Sequence, residues 1–244
     1  SFDRPLHVFN VNAFGALKVI NAAQEAGVRA VLQVSSAEIY GGATTSAGSE
    51  DGDDRVSEEY PVEPHSSYGA SKAAIDAMVQ VRWKESRTPV IALRQFNCVG
   101  ERETHPYVVP EIIGQLSHRE GNHHGVVKLG NDSFRDFLYA GDAVRMAVEL
   151  LEEGQFGEVY NLGSEQGIKI WDLARKIGEI VGCGKVVIER DPARVRPWEI
   201  WHLQSDNSKI QWVIKGRPTV TLDEALKRTI EWFDAHGRRW PWEK

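Results

Sequence analysis

Val28-Arg-Ala-Val-Leu-Gln-Val-Ser-Ser-Ala-Glu38 is a short β-branched run that opens after a glycine and closes on a polar cluster. Its length and composition predict a buried parallel strand. Before it, about Asn12 to Ala26 sets Phe14, Leu17, Ile20 and Ala23 at helical spacing, and Gly27 stops the helix as a C-terminal cap does. After it, residues 42–64 are rich in Gly, Ser, Asp and Glu and are expected to be a polar loop. A second helix is expected from Ser66 to Arg87, with a Ser-Ser start that can cap it. Pro89-Val-Ile-Ala-Leu-Arg94 then reads as a second strand, ending in Gln95-Phe-Asn-Cys-Val-Gly100. Helix, strand, helix, strand is the rhythm of a parallel sheet covered by helices, an α/β fold.

In such a sheet, ligands bind beyond the carboxyl ends of the strands. Three polar groups lie there or next to it: Ser35-Ser36-Ala37-Glu38, the start of the Ser66 helix, and Gln95-Phe96-Asn97. The helix start holds Tyr68-Gly-Ala-Ser-Lys72. Residues four apart share a helix face, so Tyr68 and Lys72 point into one volume. An ammonium beside a phenol favours the phenolate and yields a base nearer neutral pH. Ordinary solvated side chains explain such a pair equally well when it stands alone. The convergence of the three clusters on one crevice favours a site.

Further along, a short helix is expected around Pro110, a turn at 121–125, a strand at 126–129 and a turn at Asp132–Arg135. Asp142 is expected to cap a helix reaching Glu153, followed by a strand at 158–162, a helix near 172–181 and a strand at 186–189. The last helix begins with the capping box Thr221-Leu-Asp-Glu224 and carries Leu226, Ile230 and Phe233 on one stripe.

The chain has 244 residues, 41% hydrophobic and 26% charged, with a net charge of −6. This suits a globular protein and argues against nucleic acid as a partner. No apolar run reaches membrane-spanning length. Two distant cysteines, Cys98 and Cys183, form no motif, and a cytoplasmic setting is expected. No metal site is expected: His123-His124 lacks partners at ligand spacing. The eight tryptophans are expected to serve packing.

The chain resembles the extended short-chain dehydrogenase/reductase family of nucleotide-sugar epimerases and dehydratases. The matching pieces run in order over nearly its whole length. They include Asn12-Ala-Phe-Gly-Ala-Leu, Val34-Ser-Ser-Ala-Glu-Ile-Tyr-Gly41, Tyr68-Gly-Ala-Ser-Lys72, Leu93-Arg-Gln-Phe-Asn-Cys-Val-Gly100, Arg135-Asp-Phe-Leu-Tyr-Ala-Gly-Asp142, Val159-Tyr-Asn-Leu-Gly163 and Arg194-Val-Arg-Pro-Trp-Glu199. The resemblance implies a doubly wound, Rossmann-like parallel sheet with a smaller C-terminal substrate domain. Residues 1–97 would belong to the dinucleotide-binding part and 98–244 mainly to the substrate part, with about 136–163 returning to the first sheet.

It also implies roles. Tyr68 would be the base, Lys72 would lower its pKa and hold the nicotinamide ribose, and Ser36 would share the proton. Ser35 and Asn12 would lie at the cofactor. Asn97, Arg135 and Arg196 would take the nucleotide-sugar phosphates, and Glu199 a ribose or sugar hydroxyl. Arg194 ranks below the other two arginines. The cofactor would be NAD, with NADP not excluded, the substrate a nucleotide-diphosphate sugar, and the complete protein a homodimer. Members of the family begin with a Gly-rich turn that meets the dinucleotide pyrophosphate, and nothing of that kind precedes Asn12. The expectation is an N-terminally truncated member whose isolated 244 residues are inactive. Glu38 suits a dehydratase, but Ala37 stands where dehydratases commonly carry a second acid. The expected reaction is therefore NAD-dependent 4-epimerization. The alternatives are a 4,6-dehydratase, a 4-keto-sugar reductase or a decarboxylase, and, in another class, a non-catalytic cofactor sensor or scaffold.

Overall fold

The computed structural model describes residues 4–42, 55–117 and 125–236. The expected turn at 121–125, apart from Gly125, the His123-His124 pair and most of the 42–64 loop lie outside them.

The first helical run comprises α1 (Pro5–Phe9), a π-helical stretch (Asn10–Gly15) and α2 (Ala16–Glu25). Gly27 follows at φ 66°, a left-handed conformation that glycine adopts without steric cost. Then come β1 (Val31–Val34), α3 (Ser67–Ser86) and β2 (Val90–Gln95). β1 pairs with β2, and β2 with β6 (Val159–Leu162), all parallel. Alternation along β2 serves two cores. Val90 and Ala92 pack with Ile20, Ile75 and Val79 of α2 and α3. Ile91 and Leu93 pack with Met146 and Leu150 of α5 (Ala140–Glu153), and with Ile210 of the short α7 (Ser208–Gln211). Helices therefore cover both faces of the sheet, which explains the continuous apolar reading of β2.

A second layer begins one residue after β2. β3 (Asn97–Val99) pairs in parallel with β5 (Phe134–Tyr139), and β5 also pairs with β7 (Gly167–Lys169) and β9 (His202–Leu203). β4 (Gly125–Leu129) and β8 (Val186–Arg190) form a separate parallel pair. Their core is built with α4 (Val108–Ser117), α6 (Ile170–Ile180) and α8 (Leu222–Ala235). Within 136–163, then, Val159–Leu162 pairs with β2, while β5 belongs to the second layer.

Two local readings need correction. The expected turn at Asp132–Arg135 is overtaken by β5 from Phe134, because its polar-looking residues find buried partners that spacing does not reveal. Asp142 does not cap α5, whose N-cap is Tyr139. Its carboxylate instead accepts from the Thr219 and Val220 amides (2.7 and 2.8 Å) and from Arg145 (2.6 Å). Burial alone would raise its pKa, but these donors outweigh burial and hold it at about 2. No helix among the described residues is long and apolar enough to cross a membrane.

Candidate active site

Ser66 closes the start of α3, its Oγ accepting from the Gly69 amide at 2.9 Å, and so sets the first turn that carries Tyr68. Two clamps then fix the helix. Asn12, within the π-helical stretch, donates to Ser71 Oγ at 3.0 Å, and Ser71 donates to the Tyr68 carbonyl at 2.7 Å. Single π turns often mark functional positions. On the other side, Lys72 Nζ donates to the Val34 carbonyl at 2.8 Å, and Ser35 Oγ donates to the Lys72 carbonyl at 3.4 Å. Asn12 and Ser35 thus act on the backbone and neighbours of the Tyr68–Lys72 turn.

The expected triad does come together. Ser36 is buried, its Oγ accepts from the Glu38 amide at 3.2 Å, and its hydroxyl is near enough to the Tyr68 phenol to pull that phenol's pKa down. Lys72 Nζ lies 5.8 Å from the centre of the Tyr68 ring. The electrostatics differ from the expectation. Burial pushes the Tyr68 phenol above its ordinary value, the Ser36 hydrogen bond pulls it back, and the charge of Glu38 adds to the rise. Burial lowers Lys72 from its ordinary value. Ser36 eases ionisation of Tyr68 against the effect of burial.

Glu38 links this cluster to the substrate side. Its Oε2 accepts from Ser66 Oγ at 3.4 Å, and its charge is felt at both Tyr68 and Arg135. Arg135 is buried and committed: it donates to Glu199 at 2.7 Å and to the Ile200 and Phe134 carbonyls at 2.6 and 2.8 Å. Glu199 is therefore first a partner of Arg135. Arg196 is exposed and close enough for its charge to act on Arg135. Asn97 is exposed at the start of β3. Arg194 pairs with Glu111 at 2.8 Å.

Sequence reasoning missed the buried support under the site. Arg94, at the end of β2, meets Asp76 of α3 at 2.9 Å and donates to the Tyr40 hydroxyl at 2.9 Å. Tyr40 donates to Asn161 of β6 at 2.6 Å, and Asn161 Nδ2 donates to the Val56 carbonyl at 2.8 Å. This chain of contacts ties α3 to the sheet and to the segment after Glu38. Periodicity could not find it, although Arg94 inside an apolar strand was a signal, since buried charges need partners. Tyr107, whose phenol acts on Tyr68, was also missed.

Glu103, in the loop after β3, has a buried Oε2 with no hydrogen-bond partner among the described residues. Burial pushes it up to about 8 from an ordinary 4.5. A carboxyl whose folded pKa is raised gives stability that is full below its unfolded pKa and lost as pH rises through the folded value. Glu103→Gln is expected to leave the melting temperature near wild type at pH 5 and raise it at pH 9. The scale is about 2–4 °C per kcal/mol in a chain this size. Equal melting curves at pH 9 would count against a buried, neutral Glu103. The nearby Cys98 thiol is pushed up to about 12 by burial, which fits a packing residue and not a nucleophile. Among the described residues no group of three or more His, Cys, Asp or Glu could hold a metal.

A Tyr/Lys turn on a helix, joined to a serine at the end of a neighbouring parallel strand, defines the class as short-chain dehydrogenase/reductase of the extended, nucleotide-sugar type. The chain belongs to the family described as GDP-mannose 4,6 dehydratase, whose family model matches residues 1–229. It is 30% identical over 244 residues to the dTDP-D-glucose 4,6-dehydratase of Mus musculus, covering 98% of this chain and 65% of that protein. The chain spans about two thirds of the length of the dTDP-D-glucose 4,6-dehydratases it matches. Its fold is shared with the structure of RMD from Pseudomonas aeruginosa complexed with NADPH, at 23% identity, TM-score 0.83, and coverage of 96% of this chain and 77% of that one. It is also shared with a UDP-N-acetylglucosamine 4-epimerase from Methanobrevibacter ruminantium, solved with UDP-N-acetylmuramic acid. That match has 24% identity, TM-score 0.82, and coverage of 97% and 73%.

Proposed function

We propose that the protein works on a nucleotide-diphosphate sugar by reversible oxidation at C4, with NAD or NADP as cofactor, and that the reaction is a 4,6-dehydration. The observation that carries this reading is the position of Glu38, whose amide donates to Ser36 Oγ at 3.2 Å, whose carboxylate accepts from Ser66 at 3.4 Å and whose charge acts on Tyr68. The residues present fit the nicotinamide end of a dinucleotide. Lys72 is half-buried beside Tyr68 and has one hydrogen bond, to Val34, leaving donors for ribose hydroxyls. When bound, the cofactor supplies hydride acceptance and return.

The chain's own residues do the proton work. Tyr68 takes the proton of the C4 hydroxyl, and Ser36 holds the same oxygen and supports the phenolate. Glu38, two residues after Ser36, takes the C5 proton of the 4-keto sugar and passes it to the C6 hydroxyl, which leaves as water, and the proton held by Tyr68 is returned to C5. Arg196 and Asn97 meet the diphosphate, and Arg135 holds that surface through Glu199 and the backbone. A second reading, 4-epimerization, rests on Ala37: it is buried and offers no acid to protonate a leaving hydroxyl.

Incubating the complete gene product with dTDP-glucose, UDP-glucose and GDP-mannose without added cofactor separates the two. Loss of one water by mass spectrometry, with a 4-keto-6-deoxy product, is expected. An inverted C4 configuration at unchanged mass would replace dehydration by epimerization. The family resemblance also suggests a homodimer in the complete protein.

A further inference from the structure

Residues 194–200 display one indole on a fixed base. Glu199 is held by Arg135 at 2.7 Å and by Asn131 at 3.1 Å, and Asn131 also donates to the Arg196 carbonyl at 3.1 Å. Gly130 lies so close beneath that a Cβ there would fall 2.2 Å from the Arg194 carbonyl oxygen. Between these anchors Trp198 is 73% exposed. The expectation that the tryptophans serve packing therefore fails for this one.

The indole is not simply facing water. Its ring meets the His65 ring edge to face, with centroids 6.4 Å apart and planes at 64°. His65 is the residue before Ser66, the N-cap of α3, and it sits over Gly42, where a Cβ would come 2.4 Å from His65 Nε2. His65 Nδ1 is buried without a partner among the described residues. Trp198 thus spans from the segment that carries Arg196 and Glu199 to the entrance of the catalytic helix.

We propose that Trp198, backed by His65, is the aromatic wall against which the sugar ring packs, and that it determines which sugars are accepted. The proposal rests on the nucleotide-sugar reading above. Tyr68 and Ser36 set where the reacting sugar oxygen lies, and the arginines set where the phosphates lie. A ring packed at the residue before the catalytic helix belongs to the sugar end and not to the base end. A pyranose presents a face of C–H bonds, and the electron-rich face of an indole suits it. Covering that face removes apolar area from water, which an exposed tryptophan leaves unburied in the free protein.

The test measures binding of UDP-glucose, dTDP-glucose and GDP-mannose, and of UDP, dTDP and GDP, by calorimetry to the wild-type chain, Trp198→Ala and Trp198→Phe. Trp198→Ala should weaken the best-bound sugar nucleotide about tenfold while leaving its free diphosphate unchanged, and Trp198→Phe should recover most of the loss. Equal losses for sugar nucleotide and free diphosphate would assign the indole to the base and overturn the proposal. So would unchanged binding of both. Failure of every nucleotide to bind the wild-type chain would instead remove the nucleotide-sugar reading, and this proposal with it.

Discussion

Tyr68→Phe is expected to lower turnover of the complete gene product by about 10²–10⁴-fold, the usual contribution of a positioned base. Binding of the sugar nucleotide should change little. The ring and its packing are kept, the helix is still clamped by Asn12 through Ser71, and only the hydroxyl that meets Ser36 is removed. Steady-state rates with direct binding measurements decide this, and near-normal turnover would remove Tyr68 from the mechanism. The pH profile supplies a second check. Ser36 pulls down a phenol that burial raises, so Ser36→Ala should move the rising limb of the rate profile, along which the phenol ionises, to higher pH. An unmoved limb would mean that the Ser36 contact does not tune the base.

The largest effect on stability is expected from Asp76→Ala. Asp76 and Arg94 are buried at 4% and 5% side-chain exposure and meet at 2.9 Å. Removing the carboxylate leaves a guanidinium in the interior with only the Tyr40 hydroxyl and the Glu58 carbonyl as partners. Breaking one side of a buried pair typically costs about 3–5 kcal/mol, far more than an exposed pair is worth. A fall in melting temperature of the order of ten degrees follows for a chain of this length. The double variant Asp76→Ala, Arg94→Met should recover much of it, since it removes the unpaired charge as well. If the double variant melts as low as the single one, the loss comes from packing and not from the stranded charge.

The two effects act on different aspects of one helix. Tyr68 is in its first turns and Asp76 two turns later, so the residue proposed as the base and the residue that anchors the helix differ by eight positions. A helix fixed at both places holds its phenol still against Ser36, which a catalytic hydrogen bond requires.

Much of this was legible from residues alone. The β-branched runs around Val31 and Ile91, the Gly27 stop and the Ser66 cap are local signals, and local signals mark elements well. The Tyr68–Lys72 pair was legible because four-residue spacing on a helix is a geometric statement. The strand Phe134–Tyr139 was not, because Arg135 and Asp136 look like turn residues until their partners are known. Those partners, Glu199, Ser164 and Ser205, stand 28 to 69 positions away.

The sequence by itself determined the parallel α/β order and the family, and it pointed to the residues proposed for the proton chemistry. These depend on periodicity and on residue type at fixed spacing, both of which are local. Only the tertiary structure decided how those residues are tuned and held. It turned Lys72 toward the Val34 carbonyl, made Ser36 the group that offsets burial of Tyr68, committed Arg135 to Glu199, and laid Trp198 against His65. The reason is that burial and charge pairing arise between residues distant along the chain, and neither has a periodicity to read.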